Sequence, residues 1–331
     1  MASVRMTLSE YGKSMDPNST QAQIIEVLNQ VSPMIQSATI KASNALLGNT
    51  TTIRKTLPAF ASVKINQGVD ASIALTEQKV DTIGMFEGAS ETDARLPGIL
   101  GMADFELRRR QDLLAYAEAA VQTIHQYLLY GSTLTDEAGF DGFMPRMDAL
   151  NTTDRRSSIV QSMGSVTGSD GCSVLVVDWG ETACSLLYPK NSVAGLETID
   201  EGKVRVTDSD GKAFMAFLTT LRWKVGLGVE DKRHMGRLCN IDLSDSLLLS
   251  PTQGSLYREL TKLLNRMPPA GTAQRVLYVP LELYTAFHLQ AMEKSNLALS
   301  LQEYLGAFVP HFLGNPIRQV ERMAVNESTV S

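Results

Sequence analysis

Between positions 102 and 129 the chain runs without a single glycine or proline and is rich in Ala, Leu, Glu, Gln and Arg, the residues that lose least on entering a helix. Leu113, Ala117, Ala120, Ile124 and Leu128 recur at three- and four-residue steps and form one apolar stripe, and Gly131 ends the run. The pattern predicts one helix on the order of 40 Å long at ~1.5 Å per residue. Such a helix is as long as a small domain is wide. The rest of the chain must be laid along it, which makes it the backbone of an elongated plate more than the wall of a catalytic pocket.

The segments on either side supply strands, so the fold class is α+β. SVLVVD at 173–178 reads as a buried strand, followed by GETACSLLYP, and Gly202 and the turn at 208–211 frame short strands such as KVRV. Alternation continues through FLTTLRWKVGLGV and HMGRLCNID, and the stretch LRWKVGLGVEDKRHMGRLCNID reads as a hairpin. Together these predict an antiparallel sheet packed on the long helix. From residue 251 the pattern becomes helix 255–266, strand 275–279 and helix 281–292, a second layer read as a separate lobe, before GNPIRQVERM and a polar tail. With 331 residues, 44% hydrophobic and 20% charged, the chain can bury one large core or two modest ones.

Ahead of the helix, Thr20 caps a short amphipathic run through Val31 that Pro33 interrupts, and a second short piece, 34–47, ends at Gly48. Both are expected to lie outside any large core. Residues 49–93 change character: Thr51, Thr52, Ile53 and Thr56 favour strand, and Gln67-Gly68 is a turn candidate between ASVKIN and the strand-like 80–86. This predicts an extended hairpin. An isolated hairpin is marginal in water, so it is either a surface flap or an arm lying on a neighbouring subunit.

Catalytic and binding motifs are missing where chemistry would need them. The loops GSTLTDEAGFDGFMP and SVTGSDG have neither the order of a phosphate-binding loop nor the strand-to-helix context of a dinucleotide fingerprint. His125, His234, His288 and His311 have no second ligand at i+3 or i+4, and no Ser or Cys nucleophile signature occurs. Asp208, Asp210 and Gly211 resemble a calcium loop without its remaining oxygen ligands. No cofactor or metal is expected. Cys172, Cys184 and Cys239 lack C-x-x-C spacing and fit a reducing cytoplasm. The opening MASVRMTLSEYGKSMDP has no apolar signal core and no run of about 18 apolar residues occurs, so no membrane crossing is expected. A net charge of -6 excludes a global basic field for reading DNA, although enclosing DNA needs no favourable contact per phosphate.

A hairpin after an N-terminal arm, a long helix and then YGSTLTDEAGFDGFMPRM resembles, over nearly the whole length, a tailed-phage capsid subunit of the Hong Kong 97-type (Johnson) fold. VVDWGETACSLLYPKNSVAGL, WKVGLGVEDKRHMGRLCNID and GNPIRQVERM are similar to major capsid proteins of epsilon-fifteen-like short-tailed phages. The resemblance implies an N-arm (1–48), an E-loop (49–95), a P-domain (96–250) with a spine helix over about 102–130, and an A-domain drawn mainly from 251–331. In the usual member the segment resembling Gly314, Pro316 and Ile317 precedes the one resembling GLGVEDKRHMGRLCNI, so a permuted order of P- and A-domain strands is expected here.

The function implied is a structural subunit that assembles with itself, as pentamers and hexamers, into an icosahedral shell around double-stranded DNA without sequence-specific recognition. The resemblance further implies virion localisation after assembly in the bacterial cytoplasm, a separate scaffolding protein because no long charged helical extension is present, a portal protein at one vertex, and room for a decoration protein. The alternatives are an encapsulin-like compartment and a soluble α/β enzyme. Arg54, Lys55, Lys64, Arg108, Arg109 and Arg110 are the candidate inter-subunit contacts. The three consecutive arginines point about 100° apart and so either form a solvated face with one or two ion pairs or meet acidic residues of an adjoining subunit. No motif around Lys55, Lys64 or Asn66 supports a Lys–Asn cross-link, and non-covalent closure is expected.

Overall fold

In the computed structural model, which describes residues 33–46, 48–95, 102–154, 157–164, 170–207, 212–243, 256–292, 299–304 and 307–331, a short helix α1 (Pro33–Ser37) leads into strands β1 (Ile40–Ala42), β2 (Gly48–Thr56) and β3 (Leu75–Asp93) and the long helix α2 (Met102–Tyr130). Then come β4 (Ile159–Ser162), β5 (Gly171–Trp179), β6 (Cys184–Tyr188), β7 (Leu196–Thr207), β8 (Ala213–Val229) and β9 (Met235–Asp242). A helix–strand–helix unit, α3 (Leu256–Arg266), β10 (Gln274–Val279) and α4 (Leu281–Met292), precedes β11 (Leu299–Tyr304), β12 (Ala307–Phe312) and β13 (Asn315–Gln319). The arm helix expected from Thr20, the loop 165–169 and the turn at 208–211 lie outside the described residues.

Helix α2 has 29 residues and is therefore about 43 Å long at ~1.5 Å per residue. Its buried stripe is Leu113, Val121, Ile124 and Leu128, with Ala117 and Ala120 packed beside it. The last carbonyls of a helix lack intrahelical donors. Here the glycine-rich segment 131–145 folds back to supply them: Phe143 N–H donates to Leu128 O and Met144 N–H to Leu129 O, both at 2.8 Å, and Gly131 N–H donates to Tyr127 O at 2.9 Å. That approach requires glycine at 142, where a Cβ would lie 2.4 Å from Tyr127 O. The loop that matched no ligand motif is a helix cap.

The strands form one thirteen-stranded sheet among the described residues, along the path β11-β12-β13-β10-β5-β6-β8-β3-β2, with β1 beside β6, β7 beside β8, and β9 bridging β4 and β5. The sheet is mixed and not antiparallel throughout: β1–β6, β4–β9, β5–β6 and β10–β13 are parallel pairs. Nor do β8 and β9 form the expected hairpin, because β8 pairs with β3, β6 and β7 while β9 pairs with β4 and β5. Alternation identified the strands but not their partners. β10 lies antiparallel to β5, with Gln274 opposite Trp179, so the segment read as a separate lobe shares the sheet of the residues before it.

Cores lie on both faces of the sheet. Leu175, Val177 and Trp179 of β5, with Val276 and Tyr278 of β10, face the core beneath α2. Val174, Val176, Leu277 and Val279 face the other core, under α3 and α4. A strand covered on both sides reads as a continuous apolar run, which is why SVLVVDW shows no polar alternation. The arginine pair of Asp178, Arg275, reaches that buried carboxylate at 2.6 and 2.8 Å, and His234 Nδ1 lies 2.7 Å from it.

Both chain-end expectations need correction. The piece 34–47 is not a helix beyond Ser37; it extends as β1, pairing Ile40 with Leu186, because a ladder on a buried strand outweighs weak helix propensity. Met34 and Ile35 are buried in the α2 core. The polar tail is also internal: Val320, Met323 and Val330 join that core, Asn240 exchanges two 2.9 Å hydrogen bonds with the Val330 backbone, and Arg237 Nη2 donates to Glu327 Oε2 at 3.0 Å.

His125 on α2 is 7% exposed. Burial, and then the Arg322 cation, pull its imidazole from 6.5 down to about 4. The unfolded chain takes up that proton near 6.5 and the folded chain only near 4, so the stability held above the upper value is lost as pH falls toward the lower one, by on the order of 3 kcal/mol. Urea unfolding across this range reads the loss. His125→Gln, which does not titrate, is expected to show a fall smaller by that amount; equal falls in the two proteins would contradict the assignment. The three cysteines are free and buried; burial pushes the Cys172 thiol up to about 12 and the Cys239 thiol to about 11, and raises Cys184 as well, so none is poised to react at neutral pH.

Candidate inter-subunit surfaces

β2 pairs antiparallel with β3 from Gly48 opposite Thr82 to Thr56 opposite Leu75, with an irregularity between Arg54 and Thr56. This forms an extended hairpin, but ASVKIN is not a strand and the turn sits at 64–67, where Gln67 N–H donates to Lys64 O at 3.1 Å and Asn66 adopts φ 68°. Asparagine tolerates that left-handed conformation, so the turn falls just before Gln67-Gly68. The tip is cross-tied by its own bonds, such as Ala59 N–H to Ser72 Oγ at 2.9 Å. Every residue from 54 to 78 is exposed. Among them are Leu57, Phe60, Val63, Ile65, Val69 and Ile73, with Phe60 and Ile65 at 105% and 95%. A contiguous apolar tip of this kind marks an interaction site, and burying each such side chain is worth about 1.5–3 kcal/mol.

The base of the hairpin is held rigidly. Asp81, fully enclosed where β3 enters the body, accepts from Arg146 Nη1 at 2.7 Å and from the Val229 N–H at 3.0 Å, and Lys79 Nζ lies 2.9 Å away. Burial would raise this carboxyl, but Arg146, then Lys79 and the Val229 N–H, outweigh it and hold the group below the usual carboxylate range. Burial is also the main reason that Lys79 is lowered, with Arg146 adding to it. Arg146 donates in addition to Asp141 O and Leu227 O at 3.2 and 3.3 Å. One carboxylate thus ties the hairpin, the end of β8 and the cap of α2 together. A lone aspartate inside the β-favouring run Val80 to Ile83 was the available sequence signal, and its distant partner was not visible there.

The basic candidates divide. Arg54, Lys55 and Lys64 are exposed on the hairpin. Lys55 faces Glu77 across the ladder at 3.4 Å, an exposed pair of small worth. Arg109 is engaged within its own chain: Nη2 donates to Asp200 Oδ1 and Thr219 Oγ1, both at 2.7 Å, and its guanidinium stands 5.3 Å from the centre of the Phe217 ring. Arg110 lies 3.7 Å from Glu106 one turn back. Arg108 is on α2, and its side chain lies outside the described residues. Of the two described members, Arg109 clamps α2 onto β7 and β8 and Arg110 pairs along its own helix.

The family model described as major capsid protein GP7 matches residues 16–331. A chain of the bacteriophage Epsilon15 structure superposes with a TM-score of 0.68 at 25% identity, covering 88% of this chain and 87% of that one. A chain of the bacteriophage JBD30 capsid gives 0.48 at 11% identity, covering 87% and 90%, and one of an encapsulin complex from Synechococcus elongatus gives 0.42 at 10%, covering 64% and 88%. No match was found among curated protein sequences. The fold is the Hong Kong 97-type, and the role is structural, not enzymatic. From its match over residues 16–331, the chain belongs to the major capsid protein GP7 family, the shell-forming subunits of phage virions.

Proposed function

We propose that this capsid subunit occupies both pentamers and hexamers of an icosahedral shell around double-stranded DNA, and that its 49–95 hairpin is the E-loop, lying on a neighbouring subunit. The N-arm is then 1–48, the P-domain 96–250 and the A-domain mainly 251–331, in permuted order. The observation that carries this reading is the apolar tip, which is exposed throughout and ionised only at Lys64 and Asp70 between residues 57 and 74. Many such modest contacts, repeated around a closed surface, add to a large total. Arg54 and Lys55 flank the tip and Lys64 lies within it as contacts, and Arg108 remains a candidate. A scaffolding protein sets curvature during assembly, a portal protein takes one vertex, and the closed shell leaves room for a decoration protein outside without a cross-link. The net charge of -6 suits enclosure of DNA without sequence reading.

Electron microscopy of the protein expressed with the neighbouring scaffolding gene tests this. Closed polyhedral shells with five- and six-fold clusters are expected from the parent chain, and Phe60→Asp is expected to abolish them while its unfolding free energy stays within about 0.5 kcal/mol, as for other exposed sites. Persistent small oligomers from the parent chain, or normal shells from the variant, would contradict the reading.

A further inference from the structure

Strand β7 is an open edge. Among the described residues its 12 residues pair with β8 alone, so along its other side alternate backbone N–H and C=O groups have no strand partner. Edges of this kind are normally kept short. This one is long, and its charge is sorted by sign: Glu197, Asp200 and Glu201 fall in its first half, Lys203 and Arg205 in its second. A strand so divided complements a copy of itself running the other way.

We infer that β7 pairs antiparallel with β7 of a second copy across a two-fold axis, joining two sheets into one. A two-fold contact requires a self-complementary patch, and residues opposite each other in a ladder must share a face. Leu196, Thr198 and Asp200 share one face, opposite Trp223, Leu221 and Thr219 of β8. Past the irregularity between Asp200 and Gly202, that face passes to Lys203, Arg205 and Thr207, opposite Phe217, Met215 and Ala213. The one-residue shift falls at the middle of the strand. With Glu201 and Gly202 at the axis, both strands therefore pair over their whole length with faces matched. Leu196 meets Thr207 of the copy, Thr198 meets Arg205 and Asp200 meets Lys203, while Ile199 meets Val204 on the other face. The one like-charge approach is Glu201 to its own copy, and each Glu201 is held back by Thr220 Oγ1 of its own chain at 3.1 Å. The Gly202 N–H donates to Asp200 Oδ1 at 3.0 Å, so the axis itself needs no ladder bond. This contact is separate from the hairpin and does not depend on where the hairpin lies.

Thr198→Cys combined with Arg205→Cys in one chain, assembled with scaffolding protein and mildly oxidised, tests the register. Along one strand the two sites stand about 23 Å apart at ~3.3 Å per residue, too far for a disulfide within a chain, and the native cysteines are buried. Covalent dimers and no larger species are expected on a non-reducing gel, linked 198 to 205 by mass spectrometry, because a two-fold contact closes on itself. A ladder of trimers and longer species, or normal shells without the link, would overturn the pairing and leave the shell assignment standing. The parent chain supplies a second measurement that no substitution can disturb. Backbone N–H groups within 196–207 are expected to exchange about tenfold more slowly in shells than in the unassembled subunit, as for one added hydrogen bond each. Equal exchange would overturn the pairing even where the double variant fails to assemble.

Discussion

Glu327→Ala is expected to lower the stability of the subunit by about 3–5 kcal/mol, the cost of leaving a buried charge without its partner. Glu327 comes from the last residues of the chain, yet it is a hub beneath α2. It accepts from Arg237 Nη2 at 3.0 Å, from Tyr130 OH at 3.0 Å and from Ser173 Oγ. Arg237 also reaches Ser173 Oγ at 3.1 Å and Met147 O at 2.8 Å, and Tyr130 OH accepts from the Ala324 N–H at 2.8 Å. Removing the carboxylate strands a guanidinium whose side chain is 7% exposed. Replacing both partners, as Glu327→Leu with Arg237→Met, removes the stranded charge and is expected to recover much of the loss. Urea midpoints of the unassembled subunit measure both. A single variant within about 1 kcal/mol of the parent would show that the tail is dispensable.

The second large effect is expected at the hairpin base. Asp81→Asn keeps the shape but removes the negative charge facing Arg146 and Lys79, and a loss of about 3 kcal/mol follows from breaking a buried ion pair. The Val229 N–H, which Asp81 accepts at 3.0 Å, is expected to exchange with solvent faster, since its acceptor is weakened and the β3–β8 junction opens. The pH dependence has a definite sign. Because the folded carboxyl lies below its ordinary 3.8, its contribution is complete above that value and is lost only as pH falls through the lower, folded one. Stability of the parent chain therefore carries no slope from Asp81 near neutrality, and the variant differs from it by a constant there. Unchanged exchange at Val229 would mean that the hairpin is oriented by the ladder alone.

How much was legible in advance differs between elements for identifiable reasons. The long helix was readable because its signal is local: propensity, a stripe at three- and four-residue steps, and a terminating glycine all lie within one segment. The helix α3, the strand β10 and the helix α4 were placed within a residue or so on the same basis. The segment 34–47 was misread because its β-branched Thr39 and Ile40 meet a partner strand nearly 150 positions later. The polar composition of the tail that follows GNPIRQVERM does not show that Glu327 is internal, because its partners come from β9, β5 and α2.

Amino-acid order alone thus established strands β5 to β10, the spine, the absence of a local catalytic motif and a hairpin too long to stand unsupported. All of these depend on neighbours within about a dozen residues, where side-chain spacing directly reports which surface turns inward. Strand pairing, the Asp81 and Glu327 hubs and the commitment of Arg109 to its own sheet were decided only by the tertiary structure. Each joins residues far apart in the chain, and the free energy of a buried charge is set by the groups folded around it and not by its place in the sequence.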